Sequence, residues 1–288
     1  MIRLLALDLD GTLLNSKGEL SPGNRRAIKE ARERGVRIAL VTGRRFRDVR
    51  PLALDLGLDV PVISHNGALT KHARTLETVA ALLLPLSAAH EVLRIGQGMN
   101  ADAMVSDDPE GMGLLLYDHV NADNHALAAY IQWSRRVHGE EEAHSSIQRV
   151  PSLREYLDHA PVHAAFSGTC RGMFEVAETL RRELANEVRV LSTVYPKRDF
   201  ALVDVLHPEA SKGAGLAAVA AEYGLTPAEV MAMGDNHNDL EMLLYAGTSV
   251  VMSNAEPELR EHERNFYLTG SNDEDGVAAA VERFILTT

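Results

Sequence analysis

The sequence predicts an α/β protein, a doubly wound parallel sheet interrupted by a smaller inserted α+β unit. Three observations point there. Short apolar runs alternate with segments of helical spacing over the first ninety residues, the rhythm changes after residue 82, and the alternation resumes near residue 200. Parallel strands cannot be joined by a tight turn, so strands separated by helix-length segments are the expected signature of such a sheet.

Taken in order, residues 2–7 form a short apolar strand. Ser21-Pro22 supplies an N-cap and a first-turn proline for a helix running to about Arg34, and Gly35 closes it. Residues 36–41 make a second strand, 45–56 a helix stopped by Gly57, and 60–63 a third strand of the buried type. From residue 82 the pattern becomes a helix over 87–96, strand-like runs over 103–106 and 113–117, and an amphipathic helix over 122–138, followed by a solvated loop at Glu140-Glu141-Glu142. The resumed alternation reads as a strand over 200–205, a helix over 212–223, a capping box at Thr226 to Glu229, and short strands over 230–233, 249–252 and 266–268. The expected division is therefore a core of residues 1–82 and 195–288 with an insertion at 83–194.

The 288 residues, 45% hydrophobic and 24% charged, hold enough apolar material for a core plus an insertion. The apolar run at the N-terminus breaks at Asp8, too early for a signal peptide or a membrane span, so a cytoplasmic location is expected. The single cysteine, Cys170, excludes an intramolecular disulfide and a multi-cysteine metal site, and is expected to be an inert packing residue. The formal net charge of −12 argues against nucleic acid or an anionic membrane as partner, since both need a broad positive field. It leaves room for a phosphorylated small molecule, because a metal ion, backbone N–H groups and one lysine can concentrate positive potential at a point. Oligomeric state is not readable from the sequence.

In open α/β sheets ligands bind beyond the carboxyl ends of the strands, and four polar clusters fall at those places. They are Asp8-Leu9-Asp10-Gly11-Thr12, Thr42-Gly43-Arg44, Ser211-Lys212-Gly213, and Gly234-Asp235-Asn236-His237-Asn238-Asp239. Carboxylates gathered at strand ends repel one another, and a hard divalent cation such as Mg²⁺ resolves the conflict by taking Asp8, Asp235 and a backbone carbonyl as oxygen ligands. Gly11 permits a sharp exit from the strand, Thr42 and nearby N–H groups can receive phosphate oxygens, and Lys212 supplies further positive charge. Asn66-Gly67 is a turn signal that doubles as a candidate substrate contact through Asn66. Arg44 and Arg45 begin a helix whose dipole they oppose, which suggests work for at least one of them beyond the helix.

These clusters, in this order, resemble the haloacid dehalogenase superfamily, and more closely its Cof-type sugar-phosphatase family. The carrying residues are DLDGTLL from Asp8, VTGR from Val41, NGA from Asn66, SKG from Ser211, GDNHND from Gly234 and SNDEDGV from Ser271. The resemblance implies a Rossmann-like core with a C2-type cap that sets specificity, and a Mg²⁺-dependent phosphatase working through an aspartyl-phosphate. It implies Asp8 as nucleophile and metal ligand, Asp10 as general acid/base with its carbonyl on the metal, and Asp235 as the third metal ligand. Leu9, Thr42, Gly43, Lys212 and Asn238 would hold the phosphoryl group, with Asp239 in support. Thr12 is taken as a supporting residue and Arg44 as a possible substrate contact. One departure is VVMSNA, where Ser253 stands at a usual glycine; only local adjustment is expected. The alternatives are a phosphomutase sharing the same intermediate and a phospholigand-binding protein without catalysis, which intact Asp8 and Asp10 disfavour.

Overall fold

The structure, a computed structural model, describes residues 1–262, 264 and 266–287, with the backbone alone at 135 and 137–145. Strand β1 (Leu4–Asp8) is buried along its whole length, as a parallel strand covered on both faces must be. Helix α1 (Pro22–Glu33) starts where Ser21 accepts a hydrogen bond from the Asn24 N–H and proline occupies the first turn. It returns the chain to β2 (Arg37–Val41), which lies beside β1 in parallel register. Helix α2 (Phe46–Asp55) leads to β3 (Val62–Ser64), parallel to β2. Two further strands, β4 (Leu69–Lys71), antiparallel to β3, and β5 (Thr78–Ala81), extend this edge and were not foreseen from the sequence.

The inserted unit spans Ala81–Ala210. Its elements are α3 (Leu86–Gly98), β6 (Asp102–Asp107), β7 (Leu114–Tyr117), α4 (His125–Ser146), β8 (Ile147–Arg149), α5 (Leu153–Tyr156), β9 (His163–Gly168), α6 (Cys170–Leu184), β10 (Arg189–Tyr195) and β11 (Phe200–Leu206). The strands form one sheet in the order β10-β11-β9-β6-β7-β8. Helices α3 and α6 bury Val92, Val176 and Leu180 with Phe166 and Val203 of the sheet. The fit at α3 is tight, for a Cβ on Gly96 would stand 2.1 Å from the Phe166 ring. On α4, Leu127 and Ile131 pack in a separate cluster with Met104, Leu115 and Tyr117. Cys170 opens α6, half-buried, with burial and Asp199 holding its thiol above the usual range.

Two expectations fail here. The strand over 200–205 belongs to the inserted unit and not to the core, because β11 pairs antiparallel with β10 on one side and β9 on the other. Its residues alternate between buried and half-buried, the period of a strand covered unequally, whereas β1 is buried throughout. The insertion thus ends at Ala210, beyond the boundary at 194. Helix α4 also continues past residue 138 to Ser146, so the Glu140-Glu141-Glu142 run is helical and not a loop; its side chains lie outside the described residues.

The core resumes with α7 (Lys212–Glu222), β12 (Val230–Gly234), α8 (Leu240–Tyr245), β13 (Thr248–Val251), α9 (Pro257–Arg260), β14 (Tyr267–Leu268) and α10 (Gly276–Val281). The expected capping box at Thr226 and Glu229 is present. The core sheet runs β14-β13-β12-β1-β2-β3-β4-β5, with β1 between β12 and β2 and all three parallel. Among the described residues, no helix is long and apolar enough to cross a membrane.

Gly67 joins the two chain segments of the core at close range. It has φ +92°, and a Cβ there would stand 1.9 Å from the Ser211 carbonyl oxygen. Gly67→Ala should therefore destabilise by about 2–3 kcal/mol, combining left-handed strain with a backbone clash that no rotamer relieves. At Gly35, also left-handed, nothing lies within 4 Å of the added Cβ. Gly35→Ala should cost only about 1 kcal/mol. Urea unfolding of the two variants checks this, and equal losses would contradict the close approach at Gly67.

Candidate active site

The parallel order of β12, β1 and β2 brings their carboxyl ends to one edge of the core sheet. Asp8 ends β1, Gly234 ends β12 just ahead of Asp235, and Thr42-Gly43-Arg44 follows β2. Lys212 enters at the first residue of α7, whose N-cap Ser211 accepts from the Ala214 N–H. The lysine is 2% exposed, and its ammonium donates to Asp8 Oδ1 at 2.6 Å and to Asp239 Oδ1 at 2.5 Å. The other oxygen of Asp239 accepts from the N–H groups of Asp235 and Asn236, each at 3.0 Å. One carboxylate thereby fixes both the lysine and the turn that presents Asp235.

Three carboxylates facing one ammonium leave an electrostatic imbalance. Burial, with Asp239 and Asp235 adding repulsion, pushes the Asp8 carboxyl well above the usual carboxylate range in spite of Lys212. Burial and Asp239 push Asp235 up to about 7, and only the Thr12 hydroxyl, Lys212 and Asp8 pull against them. Burial would lower Lys212, but Asp239 and Asp8 outweigh it and hold the ammonium above the ordinary lysine range. Ligand oxygens of Asp8, Asp235 and Asp239 lie within 4.8 Å of one another, a spacing that a metal ion could bridge. Since Asp239 already has both oxygens engaged, Asp8 and Asp235 are the better placed pair. A second set, His237, Glu256 and Glu258, is entirely exposed.

The turn after β1 fits closely against Asp235. Thr12 Oγ1 donates to Asp235 Oδ1 at 2.8 Å, and a Cβ on Gly11 would stand 2.2 Å from Asp235 Oδ2, so only glycine leaves that oxygen room. Asn254 Nδ2 donates to the Gly11 carbonyl at 2.9 Å, and Asn254 Oδ1 accepts from the Asn272 N–H. Asn254 thus ties the Gly11 turn to the backbone at Asn272, a contact that sequence reasoning missed. Its sequence signal is the SNA triplet after β13, beside the departure at Ser253.

A second group surrounds the turn after β2. Thr42, buried, receives the Arg44 N–H on its hydroxyl at 3.1 Å and the Asn66 N–H on its carbonyl at 3.0 Å. Asn66 Oδ1 accepts from Asn238 Nδ2 at 2.8 Å, and a Cβ on Gly43 would stand 3.0 Å from that same oxygen. Asn238 Oδ1 is buried with no hydrogen-bond partner, a loss of solvation that ordinary packing does not repay. His65, Asn66 and Gly67 are all left-handed, at φ 49°, 53° and 92°. For the two non-glycine residues this is strain of the kind found at ligand sites. Leu9, between Asp8 and Asp10 in the sequence, is fully buried, its carbonyl accepting from the N–H groups of Thr12 and Leu14.

The predicted residues thus fall into two hydrogen-bonded sets. Asp8, Lys212, Asp239, Asp235 and Thr12 form one, and Thr42, Asn66 and Asn238 form another, with Gly43 packed against the Asn66 amide. Asp10 joins the second set through Arg44, whose N–H binds the Thr42 hydroxyl and whose guanidinium grips the Asp10 carboxylate through Nε at 2.8 Å and Nη2 at 2.5 Å. The carboxylate holds the guanidinium above its already high range.

Comparison with known proteins identifies the family. Residues 5–281 match the family model of haloacid dehalogenase-like hydrolases. The putative phosphatase YxeH of Bacillus subtilis is 32% identical over 99% of each chain. The pyridoxal phosphate phosphatase YbhA of Escherichia coli is 30% identical over 96% of each. A haloacid dehalogenase-like hydrolase from Bacteroides thetaiotaomicron superposes with a TM-score of 0.80 at 25% identity, covering 98% of this chain and 99% of the other. The match spans both the strand-end clusters and the insertion between them, and the chain belongs to the haloacid dehalogenase-like hydrolases, in their Cof-type branch.

Proposed function

We propose that this chain is a Mg²⁺-dependent phosphatase that hydrolyses phosphomonoesters of small metabolites through an aspartyl-phosphate on Asp8. The observation that carries the proposal is the buried ammonium of Lys212 between Asp8 and Asp239. An ammonium has three N–H donors, and two are used here, so the third is available to a phosphoryl oxygen beside the nucleophile. The substrates in the names of relatives, pyridoxal phosphate among them, support a small phosphorylated metabolite as ligand. Sugar phosphates belong to the same chemical class.

In this reading Asp8 attacks phosphorus, and the bond to the leaving oxygen breaks as Asp10 protonates that oxygen. Lys212, the Thr42 hydroxyl, Asn238 and the N–H groups near Leu9 and Gly43 stabilise the charge on the transferring group. Water then cleaves the aspartyl-phosphate with Asp10 as base. The surplus of carboxylates fits a bound Mg²⁺, held by Asp8, Asp235 and the Asp10 carbonyl, which when bound supplies counter-charge for the phosphoryl oxygens. The unit Ala81–Ala210 serves as the cap that selects the substrate, and the enzyme works in the cytoplasm.

Asp8→Asn should abolish turnover of p-nitrophenyl phosphate while leaving the circular dichroism spectrum and unfolding midpoint close to the parent, since an amide fills the same volume without being a nucleophile. Activity above a few per cent in a clean preparation would refute the assignment. Exhaustive chelation should likewise silence the parent and Mg²⁺ restore it.

The metal-free protein should also show a distinctive pH response. The Asp235 carboxyl lies at about 7 in the folded chain, against an ordinary carboxylate value near 4 when unfolded. Between those values the folded state binds more protons than the unfolded, so this contribution to stability is complete below about pH 4 and is lost as pH rises through 7. The melting temperature without metal should therefore fall between pH 5 and about 8, and saturating Mg²⁺ should cancel the fall. A metal-free melting temperature that is flat or rising over this window would contradict the electrostatics described.

A further inference from the structure

Arg44 aims two arms of its guanidinium at a single carboxylate, Nε to Asp10 Oδ2 and Nη2 to Asp10 Oδ1. Stability is a poor reason for this pair. The Asp10 side chain is 60% exposed and that of Arg44 37%. An ion pair so exposed contributes at most about 1 kcal/mol. Yet both ends are rooted in the active site. The Arg44 N–H is tied to the buried Thr42 hydroxyl, and Asp10 leaves β1 through the turn whose Gly11 carbonyl is held by Asn254. A carboxylate has about four acceptor positions on its two oxygens. The fork takes two of them, fixes the plane of the group, and leaves the remainder open to a water molecule.

We propose that Arg44 is the positioning residue for Asp10 in the second half-reaction, where its fork holds the carboxylate as proton acceptor for the water that hydrolyses the aspartyl-phosphate. The proposal rests on the roles assigned above to Asp8 and Asp10. In this step the water oxygen bonds to phosphorus, and the bond from phosphorus to the Asp8 oxygen breaks with its electron pair returning to Asp8. One water proton passes to Asp10, and inorganic phosphate leaves. That proton is the one Asp10 gives to the leaving oxygen in the next turnover. The fork fixes the plane of the carboxylate and leaves acceptor positions open, which serves the step in which Asp10 must meet a water molecule and take its proton. Arg44 therefore matters to hydrolysis of the intermediate more than to its formation.

The test is rapid-quench kinetics with p-nitrophenyl phosphate at saturating Mg²⁺, comparing the parent with Arg44→Ala, Arg44→Gln and Arg44→Lys. Because p-nitrophenolate departs without a proton, formation of the phospho-enzyme should survive in all three. Arg44→Ala and Arg44→Gln should release a burst of about one equivalent of p-nitrophenol per enzyme. A steady state slowed about tenfold or more should follow, with phospho-enzyme accumulating. Arg44→Lys, which keeps the charge but not the fork, should recover part of the rate, and inhibition by inorganic phosphate should stay within about twofold of the parent in all variants. Three results would overturn the proposal: kinetics like the parent's, a loss expressed in KM and in weaker phosphate inhibition without a burst, or slowed turnover without accumulated phospho-enzyme. Failure of the underlying reading looks different, since Asp8→Asn would then retain turnover, and the proposal would fall with it.

Discussion

The buried contact between Lys212 and the carboxylates of Asp8 and Asp239 is the constraint on which the rest of the site depends. Removing an ammonium from water costs several kcal/mol, and the attraction of two carboxylates at hydrogen-bond distance is what offsets it. The geometry has to be kept for that offset to hold. Asp239 cannot move without releasing the two N–H groups that shape the turn after β12, and Asp8 cannot move without disturbing a strand that is buried on both faces. The lysine thus locks the ends of three separate chain segments. The price is an uncompensated negative charge, visible in the upward shifts of Asp8 and Asp235.

Under the proposed function, that imbalance prepares the site for a cation. A site with exactly matched charges would have no reason to recruit a cation or to hold an anionic ligand against it, whereas an excess of carboxylate beside one ammonium attracts a hard divalent ion. The glycine at position 11 belongs to the same logic. Any side chain there would occupy the space beside Asp235 Oδ2, the oxygen that Thr12 does not bind. Strain is concentrated nearby as well, in the left-handed run from His65 to Gly67, and is tolerated because Gly67 lies against the backbone at Ser211, one residue before the lysine. The turn after β3 and the start of α7 are consequently parts of one packed feature.

The two units differ in how their strands are covered, and the difference follows from connectivity. The central core strands are parallel, joined through helices, and buried throughout, which suits a rigid frame with chemistry at one edge. In the inserted unit the hairpin of β10 and β11 lies at one side of a mostly antiparallel sheet, and β10 is only partly covered. A sheet of that kind needs fewer apolar residues per strand and tolerates change along its exposed positions.

The sequence by itself determined the parallel core and the polar clusters at its strand ends, because both are written locally. Burial on both faces demands unbroken apolar runs such as that ending at Asp8, helix starts demand caps such as Ser21-Pro22 and Ser211, and chemistry at strand ends puts polar clusters immediately after each run. The strand at Phe200–Leu206 was legible as a strand but not as a member of the inserted sheet, since its partners β9 and β10 are chosen by packing and not by its own residues. Likewise the sequence marked Arg44 and Arg45 together as helix-start cations, at least one with work elsewhere, while only the tertiary structure paired Arg44 with Asp10, thirty-four residues away. It also turned Asn66 toward Asn238 and Asn254 toward Gly11. Side chains on separate segments meet only after the sheet has set the distances between strand ends, and no local pattern encodes such a meeting.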